Sequence, residues 1–162
     1  MVRHRARVGQ ASQKVSALGS RNPMVDAITQ IPRAGVGVIV RKDGKVLLGK
    51  RVGKHGQDTW SFPGGLMEFG ESFEESAIRE IREEVGIELK NVHAGPYVNS
   101  VFKKEHRHSV VIYVIADWKS GVPKITEPDK VVDLGWYEWK KFPKPLFLPV
   151  IQLLKTSFNP FK

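Results

Sequence analysis

The stretch GGLMEFGESFEESAIREIREEVGI, residues 64–87, decides how this chain is read. It places Glu74, Glu75, Glu80, Glu83 and Glu84 on one short segment of a protein whose net charge is +9. Ser72 followed three residues later by Glu75 is a capping box, the local signature of a helix start. Gly86 stands where a left-handed residue ends a helix. The spacing therefore predicts a helix from Phe73 to Val85. Ala77, Ile78, Ile81 and Val85 recur at helical period and predict a core-facing stripe. Glu80, Glu83 and Glu84 fall at i, i+3 and i+4, which predicts that they converge on another face. Gly64, Gly65 and Gly70 free the preceding loop to turn, so Glu71 can fold towards the same helix.

Like charges at this spacing cost a few tenths of a kcal/mol per pair. Two readings offset that cost. One is a solvated acidic face, which charge runs usually mean. The other is a hard divalent cation, since Mg²⁺ takes oxygen ligands and one or two carboxylates beside substrate phosphates. Residue types alone leave both open.

The rest of the chain narrows the classes. Its 162 residues suit one domain. There is no cysteine, which excludes disulfides, thiolate metal sites and a cysteine nucleophile. Apolar runs are too short for a membrane span or a signal-peptide core. The expected location is cytoplasmic, with organelle targeting by the basic N-terminus left open. Residues 1–30 hold five basic residues (Arg3, Arg5, Arg7, Lys14, Arg21) against one acid, Asp26, a net +4 that leaves +5 for the remainder. They show no sustained period and are expected to form a flexible arm, with the folded domain spanning 31–162.

From Pro32 onward, AGVGVIVRK and KVLLGKR around Asp43-Gly44 predict a hairpin. TWSFPGG, VHAGPYVNSVF, HSVVIYVIADW and VVDLGWYEW predict further strands. PLFLPVIQLLKTSF, residues 145–158, predicts a C-terminal helix. Strands around two helices imply an α/β fold with a mixed sheet between helices.

The glutamate spacing then carries more than composition does. It matches G-x5-E-x7-R-E-U-x-E-E-x-G-U, with U aliphatic, at Gly65, Glu71, Arg79, Glu80, Ile81, Glu83, Glu84, Gly86 and Ile87. At average residue usage a chance match is on the order of one in a billion per start site. The chain resembles the Nudix hydrolase superfamily. GVGVIV, VLLGKR, FPGGLMEFGESFEE, NVHAGPYVNSVF, EPDK, GWYEW and PKPLF look like its MutT-type branch, notably the plant cytosolic and human nucleotide-pool enzymes. Residues 1–30 have no counterpart in it.

The resemblance implies an α/β/α sandwich and hydrolysis of a nucleoside diphosphate linked to another group. It implies Mg²⁺, or Mn²⁺ in its place, on Glu80, Glu83 and Glu84, with Glu71 and the Gly65 carbonyl in support. Arg79 would orient the glutamates. Glu80 is the first candidate for general base and Glu127 the outsider. Lys50 and Arg51 are candidates for terminal phosphates, and Phe62 and Asn99 for the base. Trp60, Phe102, Trp136 and Phe147 are further aromatic candidates, each also readable as core. His106 and His108 read as surface. The proline that ADP-ribose enzymes carry about fifteen residues past the motif is missing, since Val101 and Phe102 stand there. Lys103 occupies the place of the dinucleoside polyphosphate tyrosine. A nucleoside triphosphate, intact or damaged, cut to monophosphate and pyrophosphate is thus the favoured substrate. The alternatives are a non-nucleotide diphosphate such as a prenyl diphosphate, and a nucleotide-sensing module. The expected partner is a small nucleotide rather than nucleic acid or a membrane, with a homodimer left open.

Overall fold

The computed structural model describes residues 31–162. The expected arm at 1–30 lies outside the described residues. The elements run β1 (Arg33–Lys42), β2 (Lys45–Arg51), β3 (Trp60–Ser61), α1 (Phe73–Glu84), β4 (Glu88–Phe102), a 3-10 turn (Lys103–Glu105), β5 (Arg107–Ser120), β6 (Val131–Glu138) and α2 (Leu148–Leu154). Asp43 and Gly44 both have positive φ, 49° and 73°, which matches the right-handed twist of the β1–β2 hairpin.

The sheet runs β3-β2-β1-β5-β4, with β6 also paired to β2. β1 and β5 are parallel, whereas β2 pairs antiparallel with β1, β3 and β6, and β4 antiparallel with β5. Strand alternation then assigns the two faces. Val36, Val38 and Val40 pack with Ala77, Ile81 and Val85 beneath α1. Ile39 joins Leu48, Trp60, Phe62 and Tyr113 on the opposite face, closed by Val150 and Leu153 of α2. This is the expected α/β/α sandwich around a mixed sheet. Among the described residues no helix is long and apolar enough to cross a membrane.

Both ends of α1 are made as the sequence predicts. The Glu75 N–H donates to Ser72 Oγ at 3.2 Å, and the Ser72 N–H donates to Glu75 Oε2 at 2.8 Å. Gly86 has φ +69° and its N–H reaches the Ile81 carbonyl. The faces differ from expectation. Ile78 is 36% exposed, while Ser76, Glu80 and Glu84 are buried with Ala77 and Ile81. At about 100° per residue the inner arc is centred between Ala77 and Glu84. The acidic and apolar positions thus share one face instead of dividing into two.

The C-terminal helix is also shorter than 145–158. β3 claims the chain before it: the Trp60 N–H donates to the Pro145 carbonyl and the Phe147 N–H to the Trp60 carbonyl. Those residues are held extended, and the helix starts only after them, at Leu148.

Candidate functional site

The turn from Pro63 to Leu66, between β3 and α1, brings backbone against the inner face of α1. The Gly65 carbonyl accepts from the Val36 N–H at 2.8 Å, which ties the turn to β1. Gly64 has φ +143°, and a Cβ there would lie 2.1 Å from the Val36 carbonyl oxygen. A Cβ at Gly65 would lie 2.5 Å from Glu80 Oε1. At Gly64 only glycine allows the approach, while a side chain at Gly65 would displace the Glu80 carboxylate. The Gly64 N–H donates to Glu84 Oε2 at 3.0 Å.

Arg79 organises the acids around it. Its Nε donates to Glu71 Oε1 at 2.6 Å and its Nη2 to Glu71 Oε2 at 2.9 Å. Its Nη1 donates to Glu80 Oε1 at 2.8 Å and to Glu83 Oε2 at 3.3 Å. Glu71 is thus folded against the helix, and the Arg79 hydrogen bonds hold its carboxyl down at about 2. Glu83 remains half exposed. Glu80 and Glu84, one turn apart, are buried. Burial pushes Glu84 up to about 7 against the pull of the Gly64 N–H, and raises Glu80 against the pull of Arg79.

Glu80, Glu83, Glu84, Arg79 and Gly65 line one cleft of about 490 Å³. Among the described residues no three acidic or histidine side chains stand preassembled as a cation cage. The carboxylates are shared with Arg79 and the Gly64 N–H instead. The donor set does suit a hard divalent cation: it offers carboxylate oxygens and a carbonyl with a second lone pair, and the cleft has no thiolate or imidazole among the described residues. Lys130 stands on the same cleft and is bridged to Glu127, 2.8 Å away. Glu127 therefore reaches the site's rim through that ion pair.

A larger cleft of about 970 Å³ meets the first at Arg51, Ser61, Phe62, Gly64 and Gly65, which line both. Gly35 and Gly37 line it from β1. Arg51 sits with its guanidinium 4.3 Å over the Phe147 ring and donates twice to the His55 carbonyl. Burial weakens its hold on the proton while Glu84 and Glu105 support the charge. His55 bonds Glu105 through Nδ1 and packs edge-on to Phe102 and Phe147.

The other candidates divide. Phe62 and Phe147 line the larger cleft. Lys50 pairs with Asp58 at 3.6 Å and lines neither cleft. Asn99 stands behind His108, bonded to its Nε2, and also lines neither. His106 and His108, read as surface, line the larger cleft because the turn before β5 folds over it. Trp60 is core, Phe102 stacks on Phe147, and Trp136 lies across the sheet beside Lys42. Sequence reasoning missed His55, Glu105, Tyr113 and Lys130. Gly35 and Gly37, two apart on one strand, were a usable signal, since glycine inside a strand marks a close approach.

Comparison with known proteins places this architecture. The fold is that of solved Nudix structures. A MutT NUDIX hydrolase from Burkholderia pseudomallei superposes with a TM-score of 0.73 at 32% identity, covering 79% of this chain and 99% of that one. The NUDIX domain of Shewanella oneidensis NrtR, solved with ADP ribose, gives 0.64 at 20% identity, covering 89% of this chain and 96% of that one. Residues 31–155 match the NUDIX domain, and the chain belongs to the Nudix family. It is 31% identical to an ADP-ribose pyrophosphatase of Methanocaldococcus jannaschii over 72% of this chain and 68% of that protein. It is 41% identical to an RNA pyrophosphohydrolase of Hydrogenovibrio crunogenus over 43% of this chain, a match spanning 39% of that relative's length.

Proposed function

We propose that residues 31–162 form a divalent-cation-dependent pyrophosphohydrolase that cleaves a nucleoside triphosphate to monophosphate and pyrophosphate. The observation that carries this reading is the pair of buried carboxylates, Glu80 and Glu84, beside a cleft that also holds Arg51 and Lys130. Two acids and two bases facing one space fit a cation and a polyphosphate together. Glu80, Glu84 and Glu83 would hold the cation, Mg²⁺ or Mn²⁺, with the Gly65 carbonyl and, through Arg79, Glu71 in support. When bound, such a cation neutralises phosphate oxygens and lowers the pKa of a water.

The chain's own residues do the rest. Glu80 is the first candidate to accept the water's proton, because burial raises its proton affinity towards the useful range. Glu127 is the second, being tied to the rim by Lys130. The water oxygen attacks one phosphorus, the bond from that phosphorus to the bridging oxygen breaks, and pyrophosphate leaves. Arg79 keeps Glu71, Glu80 and Glu83 in one arrangement. Arg51 presents a planar donor fork to phosphate oxygens at the junction of the clefts. Phe62, on both clefts, fits the base end of the nucleotide. Lys50 and Asn99 would act from outside the clefts.

The buried pair also sets a pH dependence. Glu84 ionises near its ordinary 4.5 in the unfolded chain and at about 7 in the folded one. Its contribution is therefore intact below 4.5 and is lost as pH rises through 7. Metal-free protein is expected to lose up to about 3 kcal/mol between pH 5 and pH 8 from this group. Glu84→Gln should flatten that slope. Urea melts in chelator at the two pH values read it directly, and parallel curves for the two proteins would contradict it.

The functional test is a substrate panel with Mg²⁺: the four deoxynucleoside triphosphates, ADP-ribose, 5′-triphosphorylated RNA and a prenyl diphosphate. Pyrophosphate plus monophosphate from a triphosphate is the expected result. Turnover confined to any other member of the panel would overturn the substrate reading.

A further inference from the structure

Among the described residues, Tyr113 is the side chain lining the larger cleft that has a fully buried polar atom without a hydrogen-bond partner. It lies on β5, in parallel register with Gly37 of β1. Its ring is 1% exposed and packs edge-to-face on Phe62 with centroids 5.7 Å apart. A Cβ at Gly37 would come within 2.9 Å of its Cε1, so the glycine is what admits the ring. Its hydroxyl is buried without any hydrogen-bond partner. Native proteins rarely leave such a group unmatched, and an unmade buried bond destabilises the free protein. Burial also raises its pKa, so it remains a neutral O–H donor.

We propose that the Tyr113 hydroxyl donates to an acceptor, a carbonyl oxygen or ring nitrogen, on the substrate's nucleobase, making Tyr113 a specificity-determining residue. This rests on the nucleotide reading above. The placement follows from the two clefts. Phosphates at Arg51 and the glutamates put the base across Gly64 and Phe62, in the larger cleft that Tyr113 lines. Phosphate is a poor match for this side chain, whose ring packs on Phe62 and beside Gly37 in an apolar cluster rather than beside a cation. A flat, neutral ring with one acceptor suits an aromatic wall beside a glycine strand. Trp139 Nε1 is also unpartnered, but Trp139 does not line either cleft.

Sites built around a hydrogen bond discriminate because the wrong ligand leaves the group unpaired. The test is Tyr113→Phe, which keeps the ring and removes only the hydroxyl. Equilibrium binding is measured for dAMP, dGMP, dCMP, dTMP and inorganic pyrophosphate, beside a thermal melt. The tightest-binding monophosphate should weaken about tenfold or more and the spread among the four should narrow, as loss of one buried hydrogen bond predicts. Pyrophosphate affinity and Tm should not fall. Unchanged nucleotide affinity, a wild type that binds none of the four, or a lower Tm with unaltered binding would each overturn the proposal. A wild type that binds a nucleotide but hydrolyses no triphosphate would sink the catalytic reading and leave this one standing.

Discussion

Glu83→Gln is expected to lower pyrophosphate release at saturating Mg²⁺ by at least about a hundredfold, close to 3 kcal/mol of transition-state stabilisation. The fold should not notice. Glu83 is half exposed, and its carboxylate accepts from Arg79 Nη1, 3.3 Å away in an i,i+4 pair. Such pairs contribute about 0.3–0.5 kcal/mol, and Arg79 keeps both Glu71 and Glu80. Removing one negative charge also relieves repulsion from Glu80 and Glu84. An amide oxygen, however, is a weaker ligand and brings no charge to balance a cation beside polyphosphate. Activity and stability should therefore separate: turnover collapses while the thermal midpoint holds. Near-wild-type turnover would remove Glu83 from the site.

Gly64→Ala should do the opposite and strike the fold. The new Cβ would sit 2.1 Å from the Val36 carbonyl oxygen, a backbone atom of a central strand that cannot rotate away. The φ of +143° is itself unfavourable for alanine. Moving the turn would also break the Gly64 N–H bond to Glu84. The combined cost is expected to exceed about 3 kcal/mol in a urea melt, above the usual range for an overpacked core site. Gly53 provides the control. Its φ is +86° but a Cβ there meets nothing within 4 Å, so Gly53→Ala should cost about 1 kcal/mol. Equal midpoints for the two variants would contradict the close approach at Gly64.

Much of this was legible in residues 64–87 because the signals there are local. A capping box and a C-terminal glycine specify a helix without reference to the rest of the chain, and α1 begins where they say, at Phe73, and ends at Glu84, one residue before the expected Val85. The strand alternation at Val36, Val38 and Val40 likewise points to a buried face. What escaped was decided at a distance. Ile78 looked like core, yet the sheet covers the arc that includes Glu80 and Glu84, and no helical period tells which edge a partner will cover. Residues 145–147 looked helical until β3 claimed their hydrogen bonds. His55, Glu105 and Tyr113 reach one cleft from three separate segments, and nothing in their spacing announces it. Lys50 shows how little adjacency says about placement: beside Arg51 in sequence, it alternates to the other side of β2, pairs with Asp58 and lines neither cleft.

Glu80 and Glu84, buried together, are the residues proposed to hold a divalent cation. Mn²⁺ binding followed by the loss of the free-ion electron paramagnetic resonance signal tests this with no substrate present. Wild-type protein should take up Mn²⁺, and the Glu80→Gln, Glu84→Gln double variant, folded by its melt, should leave the free-ion signal undiminished at the same concentrations. Equal uptake by the two proteins would contradict the account.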